Sequence, residues 1–403
     1  MSDEYLFSGL KVLDVGTWIA GPVAATILAD FGADVIKVEI PGDGDQYRAI
    51  SALPGFPDAD SNYMWQMDGR NKRSLALNLK TPEGMAVLHK LIAECDVYVT
   101  NHPYPMREAL GLCYEDIRAI KPDVIYASLT AYGEQGPDRN REGFDLVAYW
   151  ARTGLMDLVR DPSGSPAQAI PGMGDHPSAV TLYAGIVTAL LKKERTGEGS
   201  FVHTSLLANG LWSASCIAQA GFAGGSYDSY REVKASTRFG TSLYRTLDNR
   251  WLQFNMVREE KDLIRLFETM GLGDLIRDDR FSTPEARAEH GDELVHIVRD
   301  VIAIHTSDEW LARFAAAGVN GNRVGIVEET VNDEMIYLNK MVVAPVDGST
   351  EMPWVINHPI KVSNVPQIGP TRAPDVGENS ADILAELGYS EEQIAELRSK
   401  HVI

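Results

Sequence analysis

The sequence predicts an α/β protein built on a parallel sheet, and three observations carry that expectation. Strand-like and helix-like runs alternate from residue 10 to residue 129. The first two strands are joined by a short loop and one helix, a βαβ unit whose strands must run parallel. A polar, glycine-rich segment then leaves the last strand of the series, where open α/β sheets bind their ligands.

"LKVLDVG" (10–16) has a buried-strand pattern and ends at Gly16. Pro22 follows at a position suited to the first turn of a helix, and "VAATILADFG" continues with helical periodicity. "ADVIKVE" (33–39) is the second strand. Thr81-Pro82-Glu83 supplies a cap, a first-turn proline and an acid to a helix ending near Cys95. "VYVT" (97–100), the helix "YEDIRAI" and the strand "VIYASL" (124–129) extend the alternation. The segment 130–145, beginning "TAYGEQGPDRNREGF", is the long ligand-side loop. Helices are expected from Pro177 to about Ala220, and 223–240 reads as a linker. "SLYRTLDNRWLQFNM" (242–256) is a hairpin turning at Asp248-Asn249, and helical patterns follow to about Phe314, as in a separate α+β domain. "PWVINHPIKVSN" is extended, and two short helices follow, the second with Ser390 and Gln393 spaced as a capping box.

At 403 residues the chain is long enough for two or three domains, and its net charge of −20 argues against nucleic acid and anionic membranes as partners. A local basic pocket for a small anion remains compatible with that charge. Cys95, Cys113 and Cys216 form no metal or redox motif. The start "MSDEYLFSGL" has no cleavable apolar segment, and the apolar run around 179–191 is too short for a bilayer, so a cytoplasmic protein is expected.

The first loop, Gly16 to Pro22, looks like a dinucleotide loop, with Glu39 where a ribose-binding acid would fall. GxGxxG is nevertheless absent, and Trp18 occupies the place where backbone would meet a pyrophosphate. An NAD-dependent oxidoreductase is therefore the weaker alternative. In "PGMGDHPSAV" (171–180), Asp175 is placed to cap the helix beginning at Pro177. The same position has a chemical meaning: free N–H groups and the helix dipole would keep the carboxylate ionised, and an accessible carboxylate is a covalent nucleophile. His176 reads as a structural hydrogen-bond donor before a base. Arg70, Lys72, Arg73 and Lys80 in "GRNKRSLALNLK" (69–80) are either a solvated strand flank or a phosphate-facing pocket in an acidic protein. No Ser-His-Asp order, HExxH or Walker loop is present.

Five segments together resemble the class III (CaiB/BaiF) coenzyme A-transferase family, whose members include formyl-CoA, carnitine and bile-acid CoA-transferases and α-methylacyl-CoA racemase. They are "KVLDVGTWIAGPVAATILADFGADVIKVEIPGDGD", "NKRSLALNLKTPEG", "SLTAYGEQGP", "GDHPSAVTLYAGIVTALLKKERTGEG" and "RAPDVGENSADILAELGYS", in family order. The resemblance implies a large Rossmann-like domain built from both chain ends (1–222 and 336–403), with a linker and smaller α+β domain at 223–335. It also implies an interlocked homodimer. Asp175 falls on the family's nucleophile, so one carboxylate would both cap the helix and attack substrate. Metal and redox cofactors are not implied; the coenzyme A thioester is a substrate, and a carboxylic acid is the acceptor.

By position, the resemblance places Thr17, Ile19 and Ala20 along the pantetheine and thiol end. Leu77, Asn78, Leu79 and Lys80 fall on the adenine- and phosphate-binding strand, and Asn101, His102 and Pro103 on another nucleotide-contacting segment. The loop from Arg141 to Phe144 covers the coenzyme A arm. Two nucleotide-binding arginines of the family fall on Ile40 and Ala109, with Arg107 one turn away as a substitute. The glycine run of the oxalate-using members is absent, Gly240 standing alone. Acyl groups larger than oxalate are therefore expected, with Phe239, Leu243 and Tyr244 either lining a wider pocket or filling a core. The racemase base falls in Gly143-Phe144-Asp145, where phenylalanine cannot abstract a proton. Hydrolysis of an aspartyl–CoA intermediate remains the alternative outcome on the same fold.

Overall fold

A computed structural model describes residues 5–257, 259–346, 348 and 352–403. The described residues fall into two compact units, one from Met1–Gln219 with Glu334–Ile403 and the other from Ala220–Asp333.

The first unit is organised by six strands: β1 (Lys11–Asp14), β2 (Asp34–Glu39), β3 (Arg73–Ala76), β4 (Val97–Thr100), β5 (Ile125–Thr130) and β6 (Ser200–Ser205). Their spatial order is β3-β2-β1-β4-β5-β6 and every pairing is parallel. This is the doubly wound arrangement, whose strand order reverses between β1 and β4. The helices up to β6 are α1 (Ala20–Asp30), α2 (Tyr63–Gly69), α3 (Pro82–Glu94), α4 (Tyr104–Leu110), α5 (Tyr114–Ile120), α6 (Leu155–Leu158) and α7 (Asp175–Thr196).

Two apolar layers cover the sheet. One face is packed by α1 and α7, through Ala24, Ala25, Ile27, Leu28, Leu182 and Ile186. Every residue of α1 is buried, and its alanines admit the close approach that a larger side chain would prevent. The other face is covered by α3, α5 and the C-terminal helices Ser380–Glu386 and Glu391–Ser399, through Leu88, Ile92, Ile117, Leu384 and Leu397. Burial of each such aliphatic side chain contributes about 1.5–3 kcal/mol. The outer edge of β3 is closed by the chain's end. Ser74 N donates to Asn379 Oδ1 (2.9 Å), Ala76 N to Ser380 Oγ (3.1 Å), and Asn78 N to Val402 O (2.8 Å).

Several local expectations hold. Thr81 caps α3, accepting from Gly84 N, and Ser390 and Gln393 form the reciprocal capping box. The hairpin in the second unit pairs Tyr244 with Leu252, and Asn249 takes the left-handed conformation (φ 59°) its turn requires. That unit packs helices Glu260–Thr269, Gly291–Ile302 and Ser307–Ala316 around Phe254, Phe267, Trp310 and Phe314.

Other expectations are corrected. Residues 200–205 are not helical but pair with β5 as an edge strand, with an alternating exposed and half-buried pattern; Gly197 (φ 74°) ends α7 and frees the chain for it. Pro22 is the third residue of α1, not the first. The segment read as a linker contains a helix, Asp228–Ala235, which buries none of its residues.

Candidate active site

The sheet's carboxyl ends open into a cavity of about 700 Å³. Its wall is assembled from the loops after β1, β2, β3, β4 and β5 and from the first residue of α7. Thr17, Ala20, Leu77, Asn78, Leu79, Lys80, Asn101, His102, Pro103, Arg141, Phe144 and Asp175 all line it. Ile19 does not, lying instead in the core beneath. Ile40 and Ala109, which lack a charge, line it as well.

The loop after β1 is clamped by its neighbours. Gly16 N donates to Asp14 Oδ1 (3.2 Å), Thr17 N to Asn101 Oδ1 (2.8 Å) and Trp18 N to Asp45 Oδ1 (3.0 Å), while Asn101 Nδ2 donates back to Thr17 O (2.6 Å). Three amides that a dinucleotide loop would turn toward pyrophosphate are thus occupied by side-chain acceptors, which removes the NAD reading's cradle. Below them lie two buried ion pairs, Lys37–Asp45 (2.7 Å) and Lys72–Asp14 (2.9 Å). Trp18 sits at φ 64°, a conformation costing a non-glycine residue about 1–2 kcal/mol. Its ring meets Phe144 edge-on at 5.2 Å.

Asp175 is the first residue of α7, and its side chain makes no capping hydrogen bond; Gly174 stands at the cap position. The expected cap is therefore corrected. The expectation that the helix end holds the carboxylate ionised is opposed as well. Burial pushes the Asp175 carboxyl up to about 7, and the nearby Asp145 and Asp68 add to this, while His176 opposes it. Asp145 is itself buried and accepts from Gly174 N (3.0 Å), so the same carboxylate that crowds Asp175 also fixes the turn before it.

His176 faces away from a free base role. Nδ1 lies 3.0 Å from Gly172 O and Nε2 lies 3.3 Å from Asp68 Oδ1. Both partners are acceptors, so both ring nitrogens donate and the ring is an imidazolium. Burial disfavours that charge, but the Asp68 hydrogen bond and charge outweigh it and raise the ring to about 9. The second Asp68 oxygen accepts from the buried Tyr47 hydroxyl (2.6 Å).

The basic run at 69–80 is mostly consumed within the fold. Arg70 pairs with Asp30 (2.6 Å), Lys72 with Asp14, and Arg73 with Asp34 (2.7 Å) and Glu386 (2.9 Å). Only Lys80 of the four reaches the cavity. Arg107 also departs from expectation. It is 2% exposed, is absent from the wall, and is bound to Glu134 (2.9 Å). Phe239 and Tyr244 belong to the core of the second unit, Phe239 stacking on Phe254 at 5.5 Å, which corrects the wider-pocket alternative for both. Leu243 is exposed.

Sequence reasoning missed Arg139, Tyr104, Tyr47 and Asp68. For Arg139 the signal was present in the polar loop "GPDRNREGF", whereas the Tyr47–Asp68–His176 chain joins three distant segments that no spacing links. Among the described residues no three His, Cys, Asp or Glu side chains are grouped as a metal site needs, and no helix is long and apolar enough to cross a membrane.

Comparison with known proteins gives this arrangement a family. The model of CoA-transferase family III matches residues 7–380. The chain is 32% identical over 399 residues to the (R)-2-hydroxy-4-methylpentanoate CoA-transferase of Clostridioides difficile, covering 99% of each chain. It is 30% identical over 401 residues to the cinnamoyl-CoA:phenyllactate CoA-transferase of Clostridium sporogenes, covering 97% of this chain and 96% of that one. The solved structure of a CaiB/BaiF family protein from Brucella suis matches with a TM-score of 0.83 at 27% identity, over 96% of this chain and 100% of the other. Six parallel strands in the doubly wound order, the shared sequence across nearly the whole length and the structural match leave one assignment: the chain belongs to CoA-transferase family III and is a CoA-transferase.

Proposed function

We propose that the protein moves coenzyme A from an acyl-CoA donor to a carboxylic acid through covalent intermediates on Asp175. The observation that carries this is the placement of Asp175: a carboxylate at the amino end of α7, opening into the cavity that the family-like segments enclose.

An Asp175 oxygen attacks the thioester carbonyl, the C–S bond breaks, and coenzyme A leaves as thiolate beside an acyl–aspartyl anhydride. The thiolate then attacks the Asp175 carbonyl carbon and the donor acid departs as carboxylate, leaving an aspartyl–CoA thioester. The acceptor carboxylate attacks that thioester and expels thiolate, and the thiolate attacks the acceptor's acyl carbon, restoring free Asp175. Each intermediate keeps an activated acyl bond, so neither a metal nor a redox cofactor enters the scheme. The helix dipole at the start of α7 favours the oxyanion of each tetrahedral state. Burial leaves Asp175 poorly solvated and the nearby carboxylates repel its charge, both of which favour passing that charge on to the departing thiolate.

Trp18, Leu129, Phe144 and Leu206 give the cavity wall apolar surface. That lining supports acyl groups larger than oxalate, such as branched or aryl 2-hydroxyacyl groups like those named for the two relatives. The proposal extends to a homodimer in the cytoplasm. The helix Leu206–Ser213 carries Leu211 and the 80% exposed Trp212, apolar surface that a second copy would cover.

The test is incubation with acyl-CoA and hydroxylamine, followed by mass analysis of the peptide carrying Asp175. A hydroxamate on that residue is expected, together with loss of turnover in Asp175→Ala. Full turnover in Asp175→Ala refutes the mechanism.

A further inference from the structure

We propose that Arg139, stacked on Tyr104, is the cation that holds a phosphate group of the coenzyme A nucleotide, Lys80 and Arg141 being the other cations of the same cavity. The proposal rests on reading the cavity as the coenzyme A site and assigns the charge recognition that the reading leaves open.

Coenzyme A carries a phosphomonoester and a diphosphate, so its site needs positive charge. Among the described residues the cavity is lined by three cationic side chains, Lys80, Arg139 and Arg141. His102 is a wall residue, but burial drives it down to about 4 and leaves it neutral. Arg107, the expected substitute for the arginine missing at Ala109, is out of the wall. Its guanidinium is also neutralised by Glu134 and bonded to Ser128 Oγ (3.3 Å).

Arg139 differs in each respect. Its guanidinium carbon lies 3.3 Å from the centre of the Tyr104 ring, and both residues line the cavity. Its buried Nε has no hydrogen-bond partner, and among the described residues no carboxylate pairs with its side chain. A guanidinium whose one face is covered by a ring keeps its in-plane N–H groups for a ligand, the fork geometry that suits phosphate oxygens. By contrast Glu39, an acid in the same wall, is bound by Arg48 (2.7 Å) and Ser74 (2.6 Å). Arg141 lies 4.0 Å from Asp138, and Lys80 pairs with no acid among the described residues. The stack therefore holds an uncompensated charge in the cavity wall.

The experiment is calorimetric titration of the full-length protein with coenzyme A, dephospho-coenzyme A and pantetheine. The proteins are the unaltered chain, Arg139→Gln and Arg139→Lys, with circular dichroism to confirm folding. Arg139→Gln keeps a stem over the ring and removes the charge; it should weaken coenzyme A binding about tenfold or more and leave pantetheine binding unchanged. Arg139→Lys should recover part of the loss. A penalty that disappears with dephospho-coenzyme A assigns Arg139 to the 3′-phosphate, and one that persists assigns it to the diphosphate. Arg139→Gln binding coenzyme A as tightly as the unaltered protein overturns the proposal alone. An unaltered protein that binds no coenzyme A overturns the site reading and this proposal with it.

Discussion

The elevated pKa of Asp175 makes a paired prediction with opposite signs. The nucleophile must be ionised, so kcat/KM should fall tenfold per pH unit below the free enzyme's pKa of about 7. Asp145 raises that pKa and His176 lowers it. Asp145→Asn removes a neighbouring negative charge while an amide oxygen can still accept from Gly174 N; the bond to Leu146 N is given up. One pKa unit, about 1.4 kcal/mol, is a reasonable size for such an interaction near a partly buried site. Lowering the pKa from about 7 to about 6 takes the ionised fraction at pH 6 from about a tenth to a half, so kcat/KM there rises about fivefold relative to its own plateau. His176→Gln removes the positive charge and moves the acid limb the other way, with about a fivefold relative loss at pH 7. The assay is the pH profile of kcat/KM, from pH 5 to 9, for the three proteins, each normalised to its alkaline plateau. Acid limbs that shift together, or an Asp145→Asn limb that moves upward, would refute the electrostatic account of Asp175.

Three further outcomes are expected. Asp30→Ala strips the buried Arg70 guanidinium of its carboxylate and should cost about 3–5 kcal/mol, read as a lowered midpoint in urea unfolding. The raised His176 stabilises the fold with its full effect below the unfolded value near 6.5, and that effect is lost as pH rises through about 9. The unfolding midpoint should therefore drop between pH 6 and pH 9.5 by more than it does in His176→Gln. Sedimentation equilibrium should return twice the subunit mass, and a mass of one subunit removes the homodimer from the proposal.

The strands β1, β2, β4 and β5 were legible because each is a short run of Val, Ile, Leu or Tyr bounded by turn residues and spaced by helical periods. β6 was not, since "SFVHTS" buries little and carries no apolar run; only its alternation marks it. Capping was readable because a cap and its donor lie three residues apart. Ion pairing was not, because Arg70, Lys72 and Arg73 find carboxylates 40, 58 and 39 residues away, and spacing alone cannot tell a consumed cation from a ligand-facing one. The same blindness hid Arg139, whose availability depends on the absence of a partner. Asp175 shows a subtler limit. A helix start suggests an ionised carboxylate, yet burial and two more acids nearby reverse the direction of its pKa.

The closure of the β3 edge by the far end of the chain bears on how the protein is made. Asn78, a wall residue, has its amide held by Val402, and Ser74 and Ala76 are held by Asn379 and Ser380, more than three hundred residues later in synthesis. A ribosome that has finished residue 205 has produced every strand of the sheet but not the segment that seals its border. The nascent sheet must wait with an open flank, a state prone to strand capture by other chains, until the last helices emerge. Assembly of the pocket is therefore late in synthesis, and truncation of the chain before Asn379 should yield insoluble product rather than a weakened enzyme.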